Sequence, residues 1–373
     1  MTHQTPPLRL GFIGCGRVTE SGHLPALRFL SDAEVVAVAD IDPDRVNRVA
    51  NRFCIERRYS DFPALLEDPA VEAVAVCVPA PLHVEVALAA LEANKHIFIE
   101  KPLALSQDES DRLIERAAHS SSKIMVGFNL RWHRLVRRAR EMIQQGALGP
   151  VVLVRNGLTS NRQYQENFPE WRKRRELGGG EFFETAIHHF DLWRFLLQTE
   201  VNEVSATSRS ERWDDETAVL TARLGNGVLA ASVFSTGTSA NHEIEIYGQR
   251  GRLSVSLLRF DSLEFFSSSS FHGGTWTPLL KIAHVLTAMS QAALRARQGG
   301  DFLASYRAEW RHFIDCIRRD VPVECTLEDG RRALQVALAA MESASRGKPV
   351  KVDQAARKVT PVSALPAATQ LSS

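Results

Sequence analysis

Between residues 8 and 128, five short apolar runs recur at intervals wide enough to hold a helix: LRLGFI from Leu8, EVVAVAD from Glu34, VEAVAVCV from Val71, KHIFIE from Lys95 and KIMVGF from Lys123. Runs of Val, Ile and Ala without polar alternation suit strands covered on both faces, and the helical stretches between them supply that cover. Leu82 to Ala93 (LHVEVALAALEA) repeats apolar residues at helical spacing and is followed by Asn94, which tolerates a left-handed stop. The pattern predicts a doubly wound α/β domain with a parallel sheet over residues 1–128.

From residue 129 the texture changes to longer alternating runs: VVLVRNGL from Val151, ETAVLTARLGNGVLAASVF from Glu216, HEIEIYGQRGRLSVSL from His242 and DSLEFF from Asp261. Gly225-Asn226-Gly227 and Gly248 to Gly251 have hairpin chemistry, so residues 129–356 are expected to form an α+β domain around a large, mostly antiparallel sheet. Helices are expected over 279–297, over 302–318, and from Glu328 to about Ser345, opening after Thr326. Ser267 to Ser270 and Gly273-Gly274 mark a loop, and residues 357–373 read as a flexible tail. Two domains suit 373 residues.

Forty-five basic against 44 acidic residues leave a formal charge of +1, which gives no global field for a polyanion, so nucleic acid is not an expected partner. The five cysteines (15, 54, 77, 316, 325) form no C-x-x-C pair. That usage fits a reducing compartment, and the cytoplasm is expected. The opening MTHQTPPLRLGFIG lacks the basic and apolar regions of an export signal, and no run approaches the roughly 18 apolar residues of a membrane span.

The first strand runs into Gly14-Cys15-Gly16-Arg17-Val18-Thr19. In a dinucleotide site Gly14 permits the tight turn and Gly16 lets the backbone approach a pyrophosphate at the helix N-terminus, with Arg17 and Val18 on the same turn and Thr19 in the close-packing position. A structural strand-to-helix turn has the same pattern. Asp40 ends the second strand, 24 residues after Gly16, where a carboxylate would receive the ribose hydroxyls of NAD. Its other reading is a cap for the helix beginning near Pro43, a role open equally to Asp42. A 2′-phosphate beside Asp40 and Asp42 would meet negative charge, so NAD is expected over NADP.

Glu100-Lys101-Pro102 follows the KHIFIE strand directly and sets a lysine at the carboxyl edge of the parallel sheet, where such sheets bind ligands. Together with GFIGCGRV, the VPAPLH segment, GGG-x3-E-x3-H-x2-D from Gly178 to Asp191, IEIYG-x-x-GRL and ECTLEDGRRALQVALAAMESA, this resembles the glucose-fructose oxidoreductase / inositol dehydrogenase / MocA family over Leu8 to about Val352. The resemblance implies a nicotinamide-binding Rossmann domain, then a domain whose open-faced sheet builds a homodimer or homotetramer. It sets Pro79, His83, Glu100 and Lys101 beside the cofactor, and Pro102 resembles the family's cis-proline. The catalytic lysine maps onto Lys101, the Asp-x3-His pair onto Glu184 and His188, and the later acidic residue onto Asp191; Arg131 resembles a substrate-contacting position. Glu184 stands where Asp is usual and Ala186 where Gly is common, departures that touch substrate identity more than fold.

Oxidising a secondary alcohol requires a base within reach of the hydroxyl. His188 is the first candidate: positions 184, 188 and 191 share one helix face, so Glu184 and Asp191 are expected to flank the imidazole. Lys101 would donate to the same oxygen, and which of the two takes the proton stays open. The alternative for His188 is a satisfied core histidine. The trio also reads as a divalent-metal site, but His189 is turned about 100° away on a helix and no metal is expected. His83 is either a nicotinamide contact or a helix cap, and His23 is expected to be structural. The clusters Arg131–Arg140 and Trp171–Glu176 read as solvated faces, or as a grip in which Arg172 and Arg174 hold an anionic or nucleotide-linked sugar.

These features predict an NAD-dependent oxidoreductase moving a hydride between the nicotinamide and a hydroxyl or carbonyl carbon of a sugar, cyclitol or sugar derivative. The alternatives are a lyase or hydrolase using transient oxidation, and a non-catalytic NAD-binding regulator.

Overall fold

The computed structural model describes residues 6–162, 169–259, 262–268 and 297–353. Strands β1 (Leu8–Ile13), β2 (Ala33–Ala39), β3 (Arg57–Tyr59), β4 (Ala73–Val76), β5 (His96–Glu100) and β6 (Ile124–Gly127) form one sheet in the order β3-β2-β1-β4-β5-β6. All its pairings are parallel. Every residue of β4 and β6 is buried, as uninterrupted apolar runs require. Helices α1 (Leu24–Leu27), α2 (Pro43–Phe53), α3 (Phe62–Glu67), α4 (His83–Glu92) and α5 (Gln107–Ala117) make the crossovers. Asp42 caps α2, accepting from the backbone N–H of Asp44 and Arg45, and Asn94 follows α4 at φ 55°. The strand order reverses between β1 and β4, which opens a crevice at their carboxyl ends.

After α6 (Arg134–Gln144) the chain enters a second sheet through β7 (Val151–Thr159). Helix α7 (Ile187–Leu197) precedes β8 (Val201–Arg209), β9 (Thr217–Leu224), β10 (Leu229–Ser235), β11 (Asn241–Gly248), β12 (Gly251–Ser256) and β13 (Ser262–Ser267). Then come α8 (Gly300–Arg319), α9 (Leu327–Arg346) and the two-residue β14 (Val350–Lys351). The sheet order is β13-β12-β11-β7-β10-β9-β8-β14, antiparallel except where β7 and β10 pair. Both expected hairpins are present, joining β9 to β10 and β11 to β12. Burial alternates along β9: Ala218, Leu220, Ala222 and Leu224 turn inward, while the other face leaves Val219 52% exposed beside Val233 of β10 at 46%.

Thr326 caps α9 in a reciprocal box with Asp329. The tail, the loop beyond Ser268 and the helix expected over 279–297, apart from Arg297, lie outside the described residues. Among the described residues no helix is long and apolar enough to cross a membrane. The last two helices return to the first domain. Trp310 of α8 stacks on Phe98 of β5 with ring centroids 4.5 Å apart, a contact worth about 0.5–1.5 kcal/mol beyond its burial. Val126 N–H donates to the Cys325 carbonyl at 3.1 Å. The segment after β5 therefore lies where both domains meet.

Candidate active site

Four segments leave the carboxyl ends of neighbouring strands: the glycine turn after β1, Asp40 after β2, Pro79 after β4 and Glu100-Lys101-Pro102 at the end of β5. Gly14 has φ 101°, and a Cβ there would lie 2.4 Å from the Cys77 carbonyl oxygen, so only glycine passes under β4. The Thr19 hydroxyl donates to the Gly14 carbonyl at 2.6 Å and closes the turn, which continues as a π turn (Thr19–His23) into α1. At Gly16 a Cβ would meet nothing within 4 Å, so its backbone is open to a ligand's close approach. Asp40 accepts from Cys15 N–H at 2.8 Å and from Asp42 N–H at 3.0 Å, one bond to each carboxylate oxygen. Each oxygen keeps a lone pair for a ribose hydroxyl, and the capping role falls to Asp42. Arg17, Val18 and Pro79 line the same edge, exposed or half-exposed. The turn thus fits a dinucleotide.

His83 is buried against the backbone of the segments after β4 and β5. It is 2% exposed, with Nδ1 2.7 Å from the Pro102 carbonyl and Nε2 2.9 Å from the Val78 carbonyl. Burial lowers the His83 pKa and favours the neutral ring, whose single N–H goes to one of these two carbonyls, so the ring packs between the segments after β4 and β5 and is bonded to one of them. His23 is structural, as expected: Trp310 Nε1–H donates to its Nδ1 at 3.0 Å, so its own proton sits on Nε2 and goes to Glu100, also at 3.0 Å. The second Glu100 oxygen accepts from Lys101 N–H at 3.1 Å. Burial would raise the Glu100 carboxyl, but His23 and Lys101 outweigh it and hold it below the ordinary carboxylate range.

The Lys101-Pro102 peptide is cis. Lys101 Nζ donates to the Glu184 backbone carbonyl at 2.7 Å. Burial lowers its pKa, Arg172 and Arg162 add to that, and the carboxylates of Glu184 and Glu100 oppose it. Burial, then the charge of Lys101, push His188 well below its usual range, so it is a neutral base. Its Nδ1 is buried with no partner among the described residues, and the ring meets Phe128 edge-on at 5.9 Å.

The expected flanking of His188 by two carboxylates is not observed. Residues Phe182–Ala186 form a π turn before α7, which breaks the helical register between positions 184 and 188. Glu184 is gripped instead by Arg172, through Nε at 2.9 Å and a second contact from Nη2. Burial raises the Glu184 carboxyl, but Arg172 and Lys101 bring it below its ordinary value. Gly179 makes this possible: a Cβ there would lie 2.2 Å from the Arg172 carbonyl oxygen. Asp191 receives the Arg131 guanidinium through bonds of 2.7 and 2.5 Å.

Residues 8–128 match the NAD-binding Rossmann fold of the oxidoreductase family named for glucose-fructose oxidoreductase, inositol dehydrogenase and MocA, and residues 140–352 match its C-terminal alpha/beta domain. The chain belongs to this oxidoreductase family. Myo-inositol 2-dehydrogenase of Thermotoga maritima is 28% identical over 356 residues, 93% of this chain and 99% of that protein. The scyllo-inositol 2-dehydrogenase (NAD(+)) of Bacillus subtilis is 28% identical over 364 residues, 95% of this chain and 98% of that protein. The crystal structure of a probable dehydrogenase from Thermotoga maritima superposes with TM-score 0.74 at 27% identity, covering 92% of this chain and 99% of that one. The first domain is thus an NAD-binding Rossmann domain, and the protein is an oxidoreductase.

In this oxidoreductase the basic clusters are largely neutralised by the fold. Arg131 is 3% exposed and held by Asp191, Asp329 and the Glu324 carbonyl, so most of its donors are used inside the protein. Burial would favour its neutral form, and the Asp191 carboxylate reverses that and keeps it charged, while burial raises the Asp191 carboxyl against the pull of Arg131. Arg134 pairs with Asp301, and Arg137 and Arg140 share Glu324, tying α6 to the α8 region. Arg172 is bound to Glu184, and Arg174 is exposed beside Asp214 at 3.7 Å. The residue that sequence reasoning missed is Arg162, just beyond β7, whose charge acts on Lys101, Glu184 and His188. No motif surrounds it; its one sequence signal is a basic residue at the end of a strand.

Proposed function

We propose that this oxidoreductase transfers a hydride between NAD and a hydroxyl or carbonyl carbon of a sugar or cyclitol, with Lys101 and His188 as its catalytic residues. The observation that carries this reading is Lys101 Nζ, fixed by the Glu184 carbonyl and lowered in pKa beside a neutral histidine. The inositol dehydrogenases among its relatives support the substrate class. Bound NAD supplies the carbon that accepts or returns the hydride. Lys101 uses one N–H on the Glu184 carbonyl and keeps the others for the substrate oxygen, whose developing charge it stabilises. His188, uncharged, is able to accept the hydroxyl proton. Glu184 is a positioning residue, oriented by Arg172, and Glu100 with His23 fixes the Lys101 backbone.

Asp40 favours NAD over NADP, because its carboxylate would repel a 2′-phosphate. We divide the chain after residue 128, and assign subunit association to the open sheet face around Val219 and Val233. The five unpaired cysteines, four of them buried, support a reducing compartment such as the cytoplasm.

The test is NADH formation from NAD⁺ with a panel of cyclitols and sugars. Lys101→Ala should lower the rate by about 10²- to 10⁴-fold while NADH still binds, read by protein fluorescence. Asp40→Ala should lose about tenfold or more of the NADH-over-NADPH binding preference. A Lys101→Ala enzyme with unchanged turnover would sink the assignment.

A further inference from the structure

We propose that Arg162 is the specificity-determining residue of this cleft, and that it pairs with an oxyanion, a carboxylate or phosphate, carried by the sugar. The inference rests on the dehydrogenase reading for the identity of the cleft. Four observations place and charge the site.

The first is position. Ser160 is still held to the sheet, donating to the Ser235 carbonyl at 2.8 Å and accepting from Thr238 N–H at 2.9 Å, so the stem of Arg162 is anchored two residues away. Arg162 leaves the sheet where Leu158 pairs with His242, and the His242 ring packs 5.1 Å from His189, the neighbour of His188. The second is reach: Arg162 is half-buried, and its charge is felt by Lys101 of the first domain and by Glu181, Glu184 and His188 of the second.

The third is the lack of a counter-charge. Among the described residues the Arg162 guanidinium has no hydrogen bond or ion pair, whereas Arg131, Arg134, Arg137, Arg140, Arg172 and Arg194 each grip a carboxylate. The carboxylates within its influence are not available. Glu184 belongs to Arg172, and Glu181 already accepts from the Thr185 hydroxyl, with burial pushing its pKa well above the carboxylate range against the charge of Arg162. The fourth is a set of buried polar atoms without partners among the described residues, each on a group that the Arg162 charge acts on: Glu181 Oε2, His188 Nδ1 and His242 Nε2. A half-buried guanidinium among unsatisfied polar groups is stabilised by a ligand bringing negative charge and several hydroxyls. A neutral polyol would meet the hydroxyl requirement and leave the charge uncompensated. Arg172 and Arg174, the residues that sequence clustering suggested for an anion, already face carboxylates of the protein itself.

The test uses the full chain saturated with NADH. Calorimetry compares D-glucuronate, D-galacturonate and D-glucose 6-phosphate with D-glucose, D-galactose and myo-inositol, for wild type, Arg162→Ala and Arg162→Lys. At least one anion should bind more tightly than its neutral counterpart. Arg162→Ala should weaken that anion about 10- to 100-fold and leave the neutral sugars and NADH affinity unchanged, with Arg162→Lys recovering part of the loss. The carboxylate and phosphate arms separate the two sources of the oxyanion. No anion preference in wild type, or a preference that survives Arg162→Ala, overturns the proposal. So does a loss confined to NADH affinity, which would place Arg162 on the cofactor. NADH formation from NAD⁺ is followed with the same sugars. Oxidation of neutral sugars without anion preference would sink this inference alone. An Arg162-dependent anion preference with no sugar oxidised would count against the sugar-oxidation reading and reduce this one to an oxyanion-binding site at Arg162.

Discussion

At the scale of single residues, the polar groups described divide into those with partners and a few without, and Glu309 is a fully buried member of the latter. It is 0% exposed, and neither carboxyl oxygen has a partner among the described residues. Burial first, then the negative charge of Glu100, raise its pKa well above the ordinary 4.5, so the native carboxyl is protonated at neutral pH. The unfolded chain releases that proton above 4.5, so folding must recapture it. The resulting loss of stability grows by about 1.4 kcal/mol per pH unit above the unfolded value while the native group stays protonated. Glu309→Gln should therefore be more stable than wild type at about pH 8 and equal to it at about pH 4 in urea denaturation. The same gap at both pH values would sink the argument. Positions that follow from chain-local context, such as those of Asp40 and Lys101 at the carboxyl ends of their strands, were legible in the sequence. The ion-pair partners of Arg131 and Arg172 were not legible because the fold sets them: Arg131 finds Asp191 across 60 positions.

Among the elements, the two glycine-rich motifs behave alike: each opens into a π turn, Thr19–His23 or Phe182–Ala186, before a regular helix takes over. Apolar spacing cannot distinguish that wider turn from an ordinary one, which is why the side chains of Glu184 and His188 were expected on one face. Strand β8 was not anticipated, since VNEVSATSR alternates too weakly to announce itself; its pairing with β9 and the cover of α9 settle it. Helix α9 was legible because its signal is chemical rather than periodic. Thr326 Oγ1 accepts from Asp329 N–H at 3.2 Å, and the Asp329 carboxylate accepts from Thr326 N–H at 2.8 Å. Thr326→Ala removes half of this box and should destabilise the protein by about 0.5–2 kcal/mol, read as a lower denaturation midpoint. Thr326→Ser should retain most of that stability.

Over the whole molecule, the second sheet among the described residues presents helices on one side and leaves the other face open, where Val219, Val233 and Leu229 are each close to half exposed. An exposed apolar face of this kind is characteristic of an interaction site, which is the basis of the proposed subunit association. Val219→Lys with Val233→Lys should lower the molar mass found by light scattering while leaving the circular dichroism spectrum intact; an unchanged mass would remove this face from the assembly. The hydrogen-bonded run from Trp310 through His23 and Glu100 to the Lys101 backbone begins in the second domain and ends at the first domain's lysine. The two halves are therefore not interchangeable parts. A chimera joined at the domain boundary would take His23 from one parent and Trp310 from the other, and any graft onto this scaffold has to carry that pair together.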